Sequence, residues 1–332
     1  MPDEGRIPVH IKNNRSGELV FRITPERFAA ACRRHPEPAR RIDAGIDWDL
    51  DNFETAMRTA QVLLTWDLPT DELARRAPNL KWIHIIGAGV EHLAPFDWLP
   101  AGVRLTNNSG VHLDKFADYA TMALLMLHAR LPKFADDQRH ARWNPLFTPP
   151  IAGRTLVVVG VGKMGGVVAR CGRRLGLRVL GVRRGGRPAR GVDRMVEPAQ
   201  LAEILPAADL VVVTLPQTPE TGGLFGAEQF RRMKPGAGFA NLGRGAVVDQ
   251  AALAAALKEG QLSGAILDVV DPEPLPPDDP LWTAPNLTIT PHISSDDQDG
   301  YIPATLDLFF DNLSRLIAGR GLRNRVDPRL GY

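Results

Sequence analysis

The sequence predicts an α/β protein of two domains, each built on a parallel sheet with helices on both faces. Three observations carry this. A chain of 332 residues with 44% hydrophobic content is long enough for two cores. Short runs that are almost wholly apolar alternate with longer stretches of helical periodicity, as expected for strands buried on both faces. That alternation pauses after residue 131 and restarts at 153.

In the first third, LVFRI (19–23), QVLLTW (61–66), LKWIHIIGAG (80–89) and VRLTN (103–107) read as strands. TPERFAAACRRH and DELARRAP read as the helices between them, opening on the capping-type residues Thr24 and Asp71. DKFADYATMALLMLHARL (114–131) reads as a long apolar-rich helix stopped by Pro132. From 153 come RTLVVVG, RVLGVRR, DLVVVTLP, AGFANLG, GAILDVV and LTITPHI as strands, with helices between them. The final amphipathic helix, YIPATLDLFFDNLSRLIAG, is expected to fold back onto the first domain and make it discontinuous. The expected division is 1–105 plus 297–332 for one domain and 106–296 for the other.

Bulk properties narrow the class. A net charge of +2, carried by scattered arginines, points to neither a nucleic acid nor a membrane surface as partner. Two cysteines, Cys32 and Cys171, argue against a disulfide framework and fit a reducing cytosol. The start MPDEGRIPVHIK has acids and prolines where a signal peptide needs an apolar run. No apolar stretch approaches the ~18 residues of a membrane span. A cytoplasmic protein is expected.

The segment VVVGVGKMGGVVARCG places Gly160, Gly162 and Gly165 as G-x-G-x-x-G after a strand and at the mouth of a helix. In that setting the first glycine permits the tight turn, the second lets backbone approach a pyrophosphate, and the third allows close helix packing. The helix start offers free N–H groups to the anion. The competing reading is a glycine turn without a ligand. Arg183 lies 23 positions beyond Gly160, near the ~20 at which an NAD site places an acid for the ribose 2′-hydroxyl. With Arg184 beside it and Arg187 in the same loop, the position suits a 2′-phosphate through charge-assisted hydrogen bonds. A solvated basic loop is the alternative. NADP(H) is therefore expected over NAD(H).

Arg244, Glu273 and His292 follow successive predicted strands. A guanidinium grips a carboxylate and polarises a neighbouring carbonyl. An imidazole exchanges a hydroxyl proton near neutral pH, and a carboxylate bonded to it stabilises its charged form. The set suits a 2-hydroxy acid, although each residue singly also has a structural explanation.

Nearly the whole chain resembles the D-isomer-specific 2-hydroxy-acid dehydrogenases, and glyoxylate/hydroxypyruvate reductases in particular. GRTLVVVGVGKMGGVVAR is similar to the family's cofactor motif. TLPQTPETGGLFGAEQFRRMKPGAGFANLGRGAVVDQAAL is similar to its central signature, and GAILDVVDPEPLPPDDPLWTAPNLTITPHIS to its catalytic end. The resemblance implies two Rossmann-like domains, the substrate domain flavodoxin-like, with a cleft between them. It implies Arg244, Glu273 and His292 as catalytic residues. It places Asp268 and the Leu242, Gly243 and Arg244 backbone beside the nicotinamide. Leu215, Pro216 and Thr221 would line the cofactor cleft, and Lys163, Met164, His292 and Ser294 complete the cofactor contacts. IIGAGVEHL is similar to the family's substrate loop, whose Ala88 and Gly89 amides would hold the substrate carboxylate; a plain strand-to-helix glycine turn is the alternative. Trp66, in LLTWDLP, would form an apolar wall beside the substrate, or else be a core residue.

Helix 114–131 would join the contact of a homodimer, with Trp143 on an arm reaching the partner. Ala117-Asp118-Tyr119 stands where many relatives carry Ala-Glu-His, which leaves the polar contacts of that helix open. The implied reaction is reduction of a small 2-oxo acid such as glyoxylate or hydroxypyruvate by NADPH. Competing readings are an NAD-dependent enzyme of the phosphoglycerate type, whose relatives often carry a further C-terminal domain where this chain ends at Tyr332, and a dinucleotide-sensing corepressor. Formate dehydrogenases share the fold but place Gln where Glu273 stands.

Overall fold

The structure, a computed structural model, describes residues 5–331; the acidic start MPDE and Tyr332 lie outside them. The chain divides into two compact units, Met1–His112 with Asp296–Tyr332, and Leu113–Ser295.

The first unit is a five-stranded parallel sheet of β1 (Ile7–Asn13), β2 (Ile42–Trp48), β3 (Val62–Thr65), β4 (Trp82–Ile85) and β5 (Arg104–Thr106), in the order β2-β1-β3-β4-β5. This is the doubly wound order of flavodoxin-type sheets. On one face the C-terminal helix Tyr301–Ile317 packs Ile302, Leu306, Phe309, Phe310 and Leu313 against Val9, Ile11 and Trp82. Their spacing of three and four forms one helical stripe, and each such side chain contributes about 1.5–3 kcal/mol on burial. The Phe309 ring stacks on Trp82 at 5.1 Å. The fold-back of this helix makes the first unit discontinuous.

The second unit holds β6 (Thr155–Val159), β7 (Arg178–Val182), β8 (Arg194–Val196), β9 (Leu210–Val213), β10 (Ala237–Asn241), β11 (Leu262–Leu267) and β12 (Leu287–Ile289). All are parallel, in the order β12-β11-β10-β9-β6-β7-β8. This is the Rossmann order extended by one strand, and its switch point lies between β6 and β9. Two buried clusters cover its faces. One receives Phe116, Tyr119, Ala120, Ala123, Leu124 and Leu127 from helix Leu113–His128.

Several local expectations change. LVFRI is not a strand: Leu19–Phe21 is a 3-10 turn, held from the side by the Arg22 guanidinium on the Gly17 carbonyl at 2.9 Å. The strands that flank this region are β1 and β2, which periodicity missed. β1 carries His10, Lys12 and Asn13, all buried, and Lys12 is buried because Asp67 pairs with it at 2.5 Å. β2 is an edge strand with polar positions, and so it lacks the apolar run of a central strand. Thr24 caps its helix, accepting from the Arg27 amide. Asp71 caps nothing: the helix is only Leu73–Arg76, entered through Glu72 in a left-handed conformation. Pro132 does not stop the long helix, which ends at His128. It sits instead in the first turn of helix Leu131–Arg139, where its missing N–H costs nothing.

Candidate active site

The three motif glycines differ in what surrounds them. Gly160 has φ +98° and turns the chain out of β6. A Cβ on Gly165 would lie 2.3 Å from the Gly160 carbonyl oxygen and 2.8 Å from the Thr214 hydroxyl, so only glycine lets the helix start close against the turn. The Thr214 hydroxyl itself donates to the Gly160 carbonyl at 2.9 Å. A Cβ on Gly162 would meet nothing within 4 Å; it would project into open space above the turn. Helix Lys163–Arg174 begins there with no side-chain cap and no acid in its first turn, and burial lowers the Lys163 pKa. Met164 follows in that turn and packs against the core below. A dinucleotide pyrophosphate fits this cradle, because the space a Cβ would take is free and the first-turn N–H groups face it.

At the end of β7, Arg183 donates its amide to the Val196 carbonyl and Gly186 closes a turn back on Arg183. Gly185 and Gly186 both have positive φ, so the loop reverses immediately after the two arginines. Arg184 is exposed. Its charge helps to lower the Glu220 pKa, which is lowered chiefly by the Thr218 hydroxyl. Leu215, Pro216 and Thr221 line the turn after β9, where the Thr221 hydroxyl donates to the Pro216 carbonyl at 2.7 Å.

Beyond β10, the Leu242 amide bonds the Val213 carbonyl. Gly243 and Gly245 pass so close to Leu215 and Val270 that a Cβ would sit 2.5 Å and 2.0 Å from their carbonyl oxygens. Between them Arg244 donates to the Gly243 carbonyl at 2.8 Å. Glu273 is fixed at both carboxylate oxygens. The Val270 amide donates to Oε1 at 3.1 Å, and Oε2 lies 2.8 Å from His292 Nδ1. The Glu273 hydrogen bond raises the His292 pKa, outweighing burial and the Arg244 charge. For Glu273, burial pushes the pKa up, but the His292 hydrogen bond and charge, the Val270 amide and Arg244 bring it below the ordinary value. The pair is therefore biased toward imidazolium and carboxylate, with a guanidinium alongside. Such a set donates a proton and grips an anion.

Asp268 is only 1% exposed. Its oxygens accept from the Thr290 hydroxyl and the Ile293 and Ser294 amides, so the carboxylate is engaged with the segment that carries His292. Ser294 is buried as well. Periodicity could not find this role; the only cue was an acid at the end of an otherwise apolar strand.

In the first unit, the Asn108 amide bonds the Gly87 carbonyl, and the Asn107 side chain donates to the Ala88 carbonyl at 2.7 Å. Among the described residues no acceptor engages the amides of Ala88 or Gly89. Trp66 is not a core residue: it is 36% exposed, with its ring over Gly87 and against Phe21 and His92. A cavity of about 860 Å³ in this unit is lined by Lys12, Asp67, Leu68 and His92, but not by Trp66, Ala88 or Gly89. In the second unit Trp143 is 95% exposed, on a fully exposed arm.

Comparisons with known proteins agree with this geometry. The profile of the D-isomer specific 2-hydroxyacid dehydrogenase NAD binding domain matches residues 121–294. A glyoxylate reductase of Korarchaeum cryptofilum is 38% identical over 293 residues, covering 83% of this chain and 86% of that one. The structure of a D-isomer specific 2-hydroxyacid dehydrogenase from Xanthobacter autotrophicus Py2, in complex with NADPH and MES, superposes with a TM-score of 0.84 at 32% identity, over 98% of this chain and all of that one. An NADPH-dependent glyoxylate/hydroxypyruvate reductase from Sinorhizobium meliloti, in complex with NADP and sulfate, gives 0.81 at 27% identity, over 98% and 99%. With a glycine turn at the sheet's switch point and a carboxylate–imidazole pair at later strand ends, the chain belongs to the D-isomer-specific 2-hydroxyacid dehydrogenase family.

Proposed function

We propose that the protein is an NADP(H)-dependent reductase of small 2-oxo acids, with glyoxylate or hydroxypyruvate as substrate and the D-2-hydroxy acid as product. The observation that carries this reading is the His292–Glu273 pair, 2.8 Å apart, beside Arg244 on the sheet that bears the glycine turn. The Gly160–Gly165 turn and the start of helix Lys163–Arg174 would hold the pyrophosphate. Leu215, Pro216, Thr221, Leu242 and Gly243 would lie along the rest of the cofactor. Arg183 and Arg184 would pair with the 2′-phosphate, where an acid would repel it. The cofactor supplies a hydride to the carbonyl carbon. Arg244 would hold and polarise the carbonyl; in the first unit the Ala88 and Gly89 amides, which no acceptor engages among the described residues, are the donors a substrate carboxylate would take. His292 Nε2 delivers the proton to the carbonyl oxygen, while Glu273 keeps the ring charged and oriented through Nδ1. The first unit is thus read as the substrate-binding domain. Relatives solved in complex with NADPH or NADP support the cofactor preference.

The same reading takes the protein as a cytoplasmic homodimer. Trp143 and Phe147 are each 95% exposed, and Met122, Leu125, Leu131 and Leu146 are also exposed apolar residues. A second copy covering them would remove a large apolar area from water. Among the described residues no helix is long and apolar enough to cross a membrane.

The test is oxidation of NADPH and NADH against a panel of 2-oxo acids, with His292→Gln as control. Turnover should fall by roughly 10²–10⁴-fold in that variant, with NADPH affinity little changed. Near-normal turnover would overturn the assignment. Tight dinucleotide binding with no activity across the panel would favour a sensor protein instead.

A further inference from the structure

Tyr119 fills space in helix Leu113–His128 and is 6% exposed, yet a phenylalanine would fill that space without burying a hydroxyl. We propose that Tyr119 and Thr290 are positioning residues for His292, acting through a hydroxyl chain that ends on Asp268. The inference rests on His292 as the proton donor.

The direction of the chain follows from counting protons. The Tyr119 hydroxyl lies 2.5 Å from Thr290 Oγ1, and Thr290 Oγ1 donates to Asp268 Oδ1 at 2.7 Å. Threonine has one hydroxyl proton. It is given to the carboxylate, so the phenol must be the donor to threonine. Two hydroxyls in series polarise one another, and they deliver a donor to a carboxylate that is almost wholly buried.

That carboxylate in turn fixes two consecutive amides, and the Asp268 main-chain carbonyl fixes the one before them. Asp268 Oδ1 accepts from Ile293 at 2.9 Å and Oδ2 from Ser294 at 3.0 Å. The Asp268 carbonyl accepts from the His292 amide at 2.8 Å. His292 has φ +54°, a left-handed conformation that an L residue holds only when its surroundings impose it. Asp268 supplies that imposition, and it aims Nδ1 of the ring at Glu273. The charged groups acting on the ring are Glu273, Arg244 and Asp268. Weakening the hold of Asp268 therefore changes both the direction of the imidazole and the charge it faces.

The experiment compares Tyr119→Phe, Thr290→Val and Thr290→Ser in the full chain. In the first two, kcat for reduction should fall roughly fivefold, the equivalent of one ordinary hydrogen bond. KM for the dinucleotide should stay unchanged, and the alkaline limb of the pH profile should move to lower pH. Thr290→Ser keeps the hydroxyl and should retain wild-type behaviour. The His292 ring titration, followed by NMR on imidazole-labelled protein, should move to lower pH with Tyr119→Phe. An unmoved titration and pH limb in both Tyr119→Phe and Thr290→Val overturns the proposal, even if melting temperature falls. The NMR titration decides the positioning role independently of turnover. A fully active His292→Gln protein would remove the proton-donor reading without removing a shift in that titration.

Discussion

Two glycines three residues apart in the same turn should fail in opposite ways when each is changed to alanine. At Gly165 the new methyl would stand 2.3 Å from the Gly160 carbonyl oxygen and 2.8 Å from the Thr214 hydroxyl. The first neighbour is backbone and cannot rotate away, so the helix must shift. Overpacking of this kind costs about 1–3 kcal/mol or more, which corresponds to a melting temperature lower by on the order of 2–12 °C. At Gly162 the methyl meets nothing within 4 Å and the backbone is not left-handed. The unliganded Gly162→Ala protein should therefore keep its stability to within about 0.5 kcal/mol. Its methyl would occupy the place of the pyrophosphate, removing one or more charge-assisted hydrogen bonds worth about 1.5–3 kcal/mol each. NADPH should bind roughly ten- to a hundredfold more weakly. Thermal melts without ligand and a fluorescence titration with NADPH read the two effects separately. If Gly162→Ala melts as low as Gly165→Ala, or binds NADPH like the wild type, the assignment of separate duties to the two glycines is wrong.

Three further outcomes follow from the same geometry. Reduction needs the proton on His292 beforehand, so activity should be high below its raised pKa and fall as pH rises through it. Glu273→Gln removes the main cause of that raise and should move the falling limb to lower pH; an unmoved limb in a kcat/KM profile would show that Glu273 does not set it. Arg183→Asp should lower the NADPH-to-NADH ratio of kcat/KM by roughly ten- to a hundredfold through lost pairing with the 2′-phosphate, and an unchanged ratio would place that pairing elsewhere. Replacing Trp143 and Phe147 together with alanine should weaken self-association at least about tenfold in analytical ultracentrifugation, since both rings are now fully exposed; an unaltered sedimentation profile would remove the arm from the interface.

Much of the second unit was legible because its strands are buried on both faces and so are written as runs such as LVVV and TLVVV. The glycine turn was legible for a related reason: each glycine answers a local steric demand, and the strand and helix on either side fix where that demand falls. β1 was not legible, because a lysine inside a sheet contradicts the usual pattern until Asp67, 55 residues later, is seen to pair with it. Nor was the role of Asp268. An aspartate at a strand end looks like a ligand-facing group, and only the fold shows its oxygens turned toward the amides of 293 and 294.

By itself, the sequence determined the layered α/β architecture, the family, and which Arg, Glu and His stand at strand ends. The architecture depends on periodicity and spacing along the chain, and the family on the resemblance of its motifs; both are local properties. The tertiary structure decided which side chains hold the imidazole and the acid behind it: Glu273 on His292, and Tyr119 through Thr290 on Asp268. Hydrogen-bond partners distant in sequence are brought within 3 Å only by packing, and no spacing rule encodes a contact made across separate elements.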